Sequence, residues 1–328
     1  MSGAPLLFDL GARGAIVLTG KDRASFLHGL VTNEIVKLAP GRGCAAAFLT
    51  PKGKLLASSV VLCEQDRIEI DCDPELATKI EDLLRKYLVF NDVQIGNETA
   101  EGTVFHLTSQ AAGDAVEDFL RRGIGLGDGR PWPQGWHAHL AAEFPGAAAG
   151  GAIRIVREDR TGVPGYDVRL PSSLSKEVLD ALTAAGAQQN SPDRLDALRI
   201  AAGIPRWGFE LTEAVLPDEA GLRERGFISE NKGCYIGQET VARIKTYGHV
   251  NRLLVRLSVS GGVPVSGDVV FFEGEKTGAL TSVASTAGGA VALAFVKRER
   301  AEPGTALSIA ASSPLGDLPA TVSSVSLA

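Results

Sequence analysis

The stretch Asn231–Arg243 reads NKGCYIGQETVAR and brings a thiol, a cation, an amide and a carboxylate together within thirteen residues. Gly233 and Gly237 carry no Cβ, so the backbone on either side of Cys234 can approach another group closely or adopt a positive φ. From Gly237 onwards the pattern predicts a helix, whose free N–H groups and partial positive charge would lie near the thiol. Because Lys232 adds a second positive influence, we expect both to lower the pKa of the Cys234 thiol.

The alternative for the same stretch is a tight turn that holds a small, buried cysteine. We favour the functional interpretation because the octapeptide Lys232–Glu239 contains more reactive and polar side chains than a tight turn requires. This octapeptide resembles the signature of the YgfZ family. Members of that family are folate-binding relatives of the glycine cleavage T-protein and include a mitochondrial iron–sulfur assembly factor.

The resemblance extends over nearly the whole chain. Residues 18–35 are similar to the family's opening segment, and residues 198–210 and 216–222 are similar to segments that line its folate cavity. The resemblance implies an α+β fold. A T-protein-like folate-binding region of two interleaved subdomains is expected over residues 1–245, followed by a C-terminal antiparallel β-barrel over residues 246–328.

The pattern of apolar residues agrees with this division. In the first part, short β-prone runs alternate with amphipathic stretches, such as the strand predicted over Gly14–Thr19 and the helix that Asp22 is expected to cap. After Val250, short strands alternate with glycine-rich turns, which indicates a small antiparallel barrel.

Length and composition limit the classes of function. A chain of 328 residues, 45% of them hydrophobic, is longer than one compact unit of typical size, so two or three domains are expected. A net charge of −6 argues against a strongly cationic nucleic-acid-binding surface and leaves a local basic patch as the alternative, and the sequence carries no direct signal for nucleic-acid binding. No apolar run is long enough for a membrane span, and the first residues lack a signal-peptide pattern. The sequence therefore predicts a cytoplasmic protein without a membrane partner.

Cysteines and histidines predict no metal site. No C-x-x-C spacing occurs, which argues against a zinc ribbon, a dithiol redox motif and a resident iron–sulfur cluster. The cysteines are Cys44, Cys63, Cys72 and Cys234. His28 stands alone in a predicted helix, and we interpret it as packed or solvated. His137 and His139 have no third ligand nearby, so a surface pair is the preferred interpretation.

The resemblance also implies a folate site. A pterin is a flat ring with a 2-amino group beside a ring N–H, so Glu219 is expected to accept from both donors while Trp207 packs against the ring face. Arg252 is expected to hold the anionic glutamyl tail. The alternatives are an exposed loop acid for Glu219 and a solvated strand-end arginine for Arg252. Four further folate-site residues are implied: Arg199, Tyr235, Gln238 and Glu239.

By resemblance, the predicted function is support of iron–sulfur cluster assembly or repair, with tetrahydrofolate or a one-carbon derivative as cofactor. Cys234 is the central residue, and iron–sulfur client or assembly proteins are the expected partners. The alternative is a folate-dependent aminomethyltransferase. In the T-protein, the hairpin that corresponds to residues 52–62 carries an aspartate that serves aminomethyl chemistry, and no acid stands between Leu55 and Ser58 here. We therefore expect that the chain is not an aminomethyltransferase. A folate-binding regulator without thiol chemistry is a third interpretation.

Overall fold

The computed structural model describes residues 4–109, 115–123, 125, 132–144, 151–311 and 316–323. The chain forms two compact units, each assembled from separate stretches of sequence. The first unit comprises the residues up to Ala46, Ser59–Leu195 and Ser229–Gly233, and the second comprises Ala47–Ser58, Asp196–Ile228 and the residues from Cys234 onwards. The boundary between the units thus falls inside the signature stretch, after Gly233. The predicted domain boundary between residues 245 and 246 stays a prediction.

The described residues contain strands throughout both units. In chain order they are β1 (Leu6–Asp9), β2 (Gly14–Thr19), β3 (Arg42–Leu49), β4 (Leu55–Cys63), β5 (Ile68–Cys72), β6 (Gln94–Asn97), β7 (Gly102–Thr108), β8 (His139–Glu143), β9 (Ala152–Glu158), β10 (Gly165–Pro171), β11 (Gln188–Asn190), β12 (Arg252–Ser260), β13 (Val269–Phe272), β14 (Glu275–Thr286), β15 (Gly289–Lys297), β16 (Ala306–Ala310) and β17 (Asp317–Ser323).

Helices separate these strands. The α-helices are α1 (Arg23–His28), α2 (Ala77–Tyr87), α3 (Ala115–Gly123), α4 (Ser175–Ala184), α5 (Pro192–Ala202) and α6 (Gln238–Tyr247). Short 3₁₀ turns span Pro74–Leu76, Ser172–Leu174, Pro217–Ala220 and Arg298–Arg300. No helix in the described part of the chain has the length and apolar run that crossing a bilayer would take.

The first unit contains a six-stranded sheet in the order β11-β1-β7-β10-β9-β8, and a five-stranded sheet runs in the order β3-β4-β5-β2-β6. Alternate residues of a strand point to opposite faces. On β10, Tyr166 and Val168 therefore join an apolar core with residues of α3 and α4. Asp167 and Arg169 lie on the other face, where the Arg169 guanidinium pairs with Glu69 of β5.

Ion pairs connect the two sheets along this polar face. We refer to the buried charged group as the ion-pair seam. Its members are Arg13, Glu69, Asp71, Arg154, Arg160, Asp167 and Arg169. Burial disfavours the charged form of Asp71, but the guanidiniums of Arg13, Arg169 and Arg160 outweigh it and hold the pKa of this carboxyl at about 2.

The second unit contains a closed barrel in the strand order β12-β15-β14-β13-β16-β17. All neighbouring strands in the barrel are antiparallel. Its interior is filled by aliphatic side chains that alternate with outward-facing residues, among them Leu257, Val270, Leu280 and Ile309. The small antiparallel barrel predicted from the glycine-punctuated strands is confirmed.

Several local predictions can be compared with the elements. The strand over Gly14–Thr19 is confirmed, and α1 begins at Arg23 as expected. Asp22 does not cap this helix, because its Oδ2 accepts a hydrogen bond from the Asp92 amide at 2.8 Å. Strands β1, β6, β8 and β11 were not predicted. Residues 124, 126–131 and 145–150 of the glycine-rich loop lie outside the described residues, as do residues 324–327 of the last predicted strand.

Candidate functional site

Helix α6 starts at Gln238, as the signature predicts. Gly237 precedes it with φ +83°, and a Cβ at this position would lie 2.5 Å from the carbonyl oxygen of Thr50. Both the backbone conformation and the close approach therefore require glycine. Thr50 belongs to the turn between β3 and β4, whose Gly53 in turn packs against the Thr240 side chain. The start of α6 and this hairpin turn are thus in direct contact within the second unit.

Cys234 is exposed, whereas the other three cysteines are buried or half-buried. Burial raises the pKa of the half-buried Cys44 thiol to about 12, which keeps it protonated at neutral pH. The alternative of a small buried cysteine is therefore wrong for Cys234. Of the four thiols, Cys234 is the one that solvent and a binding partner can reach.

Lys232 is buried and belongs to the first unit. Its ammonium group donates to the carbonyl oxygens of His28 at 2.5 Å, Val31 at 2.5 Å and Asn33 at 2.9 Å. Burial lowers the pKa of this ammonium to about 8. Lys232 thus anchors the signature stretch to the segment that follows α1. Its predicted influence on the Cys234 thiol stays a prediction.

Glu219 lies in the 3₁₀ turn Pro217–Ala220, and the residue is buried, with 8% of its surface exposed. Arg252 donates to both carboxylate oxygens, from Nε at 3.0 Å and from the second nitrogen at 3.1 Å. The amide of Leu216 donates to Oε2 at 3.0 Å. Arg252 also lies over the Phe295 ring, with its guanidinium carbon 4.6 Å from the ring centroid. Two residues with separate predicted roles at the two ends of folate are therefore paired with each other.

Asp218, the neighbour of Glu219 in the same turn, was not predicted from the sequence as a site residue. Its Oδ1 accepts a hydrogen bond from Nε of Arg223 at 2.6 Å. Oδ2 is buried and has no hydrogen-bond partner among the described residues. Arg223 also donates to the carbonyl oxygen of Val241 in α6 at 3.4 Å, so the Asp218 side chain is held next to the signature helix. No signal in the sequence distinguishes Asp218 from a solvated loop acid.

The predicted aromatic residues lie against one apolar core. Trp207 and Tyr235 are half-buried and pack on a cluster that includes Val215, Ala220 and Phe295. Ala220 follows Glu219 in the chain, and Phe295 is the ring under Arg252. Gln238 and Glu239 form the first turn of α6, where the Gln238 amide donates to the Tyr235 carbonyl at 3.2 Å. The second unit therefore brings aromatic, acidic and basic site candidates to one core.

Arg199 has structural partners inside the second unit. Its guanidinium donates to Asp196 at 2.6 Å, to Glu210 at 3.0 Å and to Ser282 at 2.8 Å. Glu210 is fully buried and also accepts from the hydroxyl of Thr281 at 2.7 Å. This network joins α5 to strand β14. That Arg199 contacts folate stays a prediction. Its hydrogen bonds support a structural role, in which Arg199 joins α5 to β14.

His28, His137 and His139 each lie close to another side chain or to the backbone. Nδ1 of His28 lies 3.1 Å from Oε1 of Glu34, and Nδ1 of His137 lies 3.0 Å from Oε2 of Glu158. Nδ1 of His139 lies 3.3 Å from the His137 carbonyl oxygen. Within the described ranges, no three His, Cys, Asp or Glu side chains meet in an arrangement that would hold a metal ion.

Comparison with known proteins identifies the family. The profile of the GCVT N-terminal domain matches residues 3–225. The chain belongs to the GCVT-domain family. A member from Arabidopsis thaliana, a chloroplastic protein provisionally named a transferase, is 30% identical over 93% of this chain and 68% of its own length. Several relatives are named aminomethyltransferase. The one from Streptomyces avermitilis is 29% identical over 92% of this chain and 80% of its own length, and the one from Bacillus subtilis is 27% identical over 92% and 82%.

A solved structure of a GCVT-domain protein shows the same fold. The glycine cleavage system aminomethyltransferase T from Bartonella henselae superposes with a TM-score of 0.82 and 18% identity, over 100% of this chain and 87% of its own. The expected α+β fold, with a closed six-stranded barrel in the C-terminal region, is therefore confirmed.

The comparisons also correct one expectation. We expected that the chain is not an aminomethyltransferase, because no acid stands between Leu55 and Ser58. This expectation is wrong, since GCVT-domain relatives named aminomethyltransferase align with more than nine-tenths of the chain. One missing carboxylate in one hairpin does not alter the framework that more than nine-tenths of the chain shares with those relatives.

Proposed function

We propose that the chain binds a reduced folate in its second unit and transfers a one-carbon group with it, as a folate-dependent aminomethyltransferase. One observation carries the proposal. A buried carboxylate, Glu219, is held in a fixed orientation by the bidentate Arg252 on a core that carries aromatic side chains, in a chain whose relatives are named aminomethyltransferase.

The residues of this region fit a pterin. Its 2-amino group and adjacent ring N–H form a donor pair, which a carboxylate can meet with two acceptors. Glu219 presents such a carboxylate, and Trp207 and Tyr235 offer aromatic faces on the adjoining core. Asp218 adds a buried acceptor oxygen that lacks a partner among the described residues. The Arg252 side chain is 40% exposed, which leaves it within reach of the anionic tail.

Bound folate would supply the amine nitrogens that accept the one-carbon group. The chain's own residues would bind and orient it. Arg252 holds the Glu219 carboxylate in a fixed orientation, since a bidentate guanidinium contacts both oxygens at once. Trp207 and Tyr235 would exclude water from one ring face. Gln238, Glu239 and the exposed Cys234 lie at the start of α6 and in the loop before it, where they would meet the rest of the ligand or its donor.

Calorimetry with tetrahydrofolate tests the proposal. We expect saturable binding by the full chain, and a loss of roughly tenfold to a hundredfold in affinity for Glu219→Gln, because a charged hydrogen bond is worth about 1.5–3 kcal/mol. Glu275→Gln, at a 71% exposed side chain of the barrel, is the matched control and should bind as wild type. Absence of tetrahydrofolate binding by the wild-type chain would refute the proposal.

A second candidate function rests on the exposure of Cys234. In this proposal the chain is a member of the narrower YgfZ family, acts in the cytoplasm, and supports iron–sulfur cluster assembly with client or assembly proteins as partners. The chloroplastic relative makes an organelle the competing location. Cys234→Ser tests the thiol, since the exchange keeps size and removes sulfur chemistry. Iron–sulfur enzyme activity in cells should fall in this variant, while tetrahydrofolate affinity stays within about threefold. Full complementation would eliminate the thiol-dependent function and leave the transferase.

A further inference from the structure

The unpartnered oxygen of Asp218 distinguishes this residue from the other acids of the site. Seven buried side-chain atoms lack a hydrogen-bond partner in the described part of the chain, and Oδ2 of Asp218 is the one carboxylate oxygen among them. The other atoms are ring nitrogens, guanidinium nitrogens and a hydroxyl. A buried carboxylate oxygen without a donor destabilises the folded state, and a donor from outside the chain, either water or a ligand, would satisfy it.

Asp218 and Glu219 differ in how fully they are occupied. Both oxygens of Glu219 accept from Arg252, and Oε2 accepts in addition from the Leu216 amide. Asp218 accepts from Arg223 at Oδ1 alone. The Asp218 side chain is 12% exposed, and the Arg223 guanidinium fixes its rotamer from one side. The second oxygen is therefore an acceptor whose position is set in advance.

The geometry of the turn separates the two carboxylates. Pro217–Ala220 is a 3₁₀ turn, in which successive side chains are rotated by about 120° because there are about three residues per turn. Asp218 and Glu219 therefore point in different directions from adjacent positions. A single donor edge of a flat ligand cannot face both, so a ligand that contacts both acids meets them through different donors.

We propose that Asp218 selects the reduced form of folate. This inference rests on the proposed function. The 2-amino group and ring N–H that Glu219 is proposed to bind are present in both folic acid and tetrahydrofolate. Only the reduced pyrazine ring of tetrahydrofolate carries its own N–H groups, and one of them donates to Oδ2 of Asp218. Neighbouring atoms cover Oδ2, so the ligand reaches it when those side chains shift, as interface side chains commonly do.

The test compares two ligands across three proteins. Tetrahydrofolate and folic acid are each titrated by calorimetry into wild type, Asp218→Asn and Glu219→Gln. For Asp218→Asn we expect tetrahydrofolate affinity to fall roughly tenfold to a hundredfold, while folic acid affinity changes less than about threefold, because only the first ligand loses a charged hydrogen bond. Glu219→Gln should weaken both ligands by similar factors.

Two controls keep the outcomes distinct. Asp218→Ser replaces the carboxylate by a smaller side chain and should also lose the preference for tetrahydrofolate over folic acid. Asp317→Asn alters an exposed acid of the barrel and should change neither affinity. If wild type binds tetrahydrofolate but Asp218→Asn and Asp218→Ser retain the wild-type ratio between the two ligands, the inference is overturned and the proposed function stands. An equal loss for both ligands also overturns it. If wild type binds neither ligand, the proposed function itself has failed.

Discussion

Carboxylate–guanidinium pairs occur both in the ion-pair seam of the first unit and in the turn Pro217–Ala220 of the second unit, which we call the acidic turn. The pairs differ in how many guanidiniums surround each carboxylate. In the seam, Asp71 accepts from Arg13 at 3.1 and 3.2 Å and pairs with Arg169 at 3.1 Å. In the acidic turn, Asp218 has Arg223 alone, and one of its oxygens is unpartnered in the described residues. Both carboxylates are buried or nearly so. They differ in whether the protein itself supplies enough donors.

This difference separates a structural acid from an acid that is available to a ligand. A carboxylate surrounded by guanidiniums, such as Asp71, has its pKa held at about 2 and has little to offer another donor. A carboxylate with one guanidinium is fixed in orientation but retains an acceptor. The number of guanidiniums around a buried acid therefore separates Asp71 from Asp218 and Glu219, and the following experiments address that comparison.

Replacing the most surrounded acid should have the largest effect. Asp71→Asn removes the carboxylate that Arg13 and Arg169 share and leaves Arg13 with Asp73 and Arg169 with Glu69. Breaking a buried ion pair typically costs about 3–5 kcal/mol. We expect the free energy of unfolding, measured by urea titration, to fall by this amount. The control Asp317→Asn removes an exposed acid and should change it by less than about 0.5 kcal/mol. A loss below 1 kcal/mol in Asp71→Asn would contradict a structural seam.

Lowering the pH should have the second-largest effect on stability, because it protonates Asp71 in the seam. The pKa of Asp71 is about 2 in the folded chain against 3.8 ordinarily, so the unfolded chain binds the proton first as the pH falls. The stabilisation is complete above about pH 5 and is lost between about pH 4 and pH 2, and it amounts to about 2 kcal/mol. Urea titrations from pH 6 to pH 2 measure it. In Asp71→Asn this part of the pH dependence should be absent, and an unchanged pH profile would assign it to other acids.

Removing the single guanidinium of Glu219 should affect binding more than stability. Arg252→Met keeps an aliphatic stem over the Phe295 ring but loses both hydrogen bonds to the carboxylate. We expect tetrahydrofolate affinity to fall about tenfold, because the charged acceptor loses its fixed orientation. The free energy of unfolding should fall by about 1 kcal/mol, since the buried Glu219 carboxylate loses its guanidinium but keeps the Leu216 amide, while the Arg252 side chain is 40% exposed. Wild-type affinity would show that the Leu216 amide alone orients Glu219.

Removing an exposed ion pair beside the seam, between Arg67 and Glu98, should have the smallest effect on stability. Arg67 donates to both oxygens of Glu98 at 3.1 and 3.2 Å, but the Glu98 side chain is 37% exposed. Exposed pairs of this kind contribute about 0.2–1 kcal/mol, so Glu98→Gln should destabilise the chain within that range. A double-mutant cycle with Arg67→Met isolates the pair. A coupling above 2 kcal/mol would place this pair with the buried seam.

The fold followed from local patterns more fully than the site did. The barrel and the start of α6 were predictable because glycine-bounded strands and the Gly237 turn are short-range signals. The seam was not, since Arg169 and Glu69 are 100 residues apart in sequence and an alternating strand does not reveal what its polar face meets. Glu219 and Arg252 were both selected, but 33 residues separate them, and their pairing became visible only in the structure. The unpartnered oxygen of Asp218 is a property of packing that no sequence pattern records.

The burial of the Lys232 ammonium group among three carbonyl oxygens has a consequence for chemical labelling. An ammonium that gives its hydrogens to three carbonyl oxygens and is only 9% exposed cannot attack an acylating reagent unless its surroundings open. Lys52 and Lys54, which are exposed on the hairpin turn, should acylate rapidly under the same conditions. Peptide mass spectrometry after brief acylation would then show Lys232 protected in the native chain. Its modification would time the opening of the segment after α1, independently of any ligand or activity.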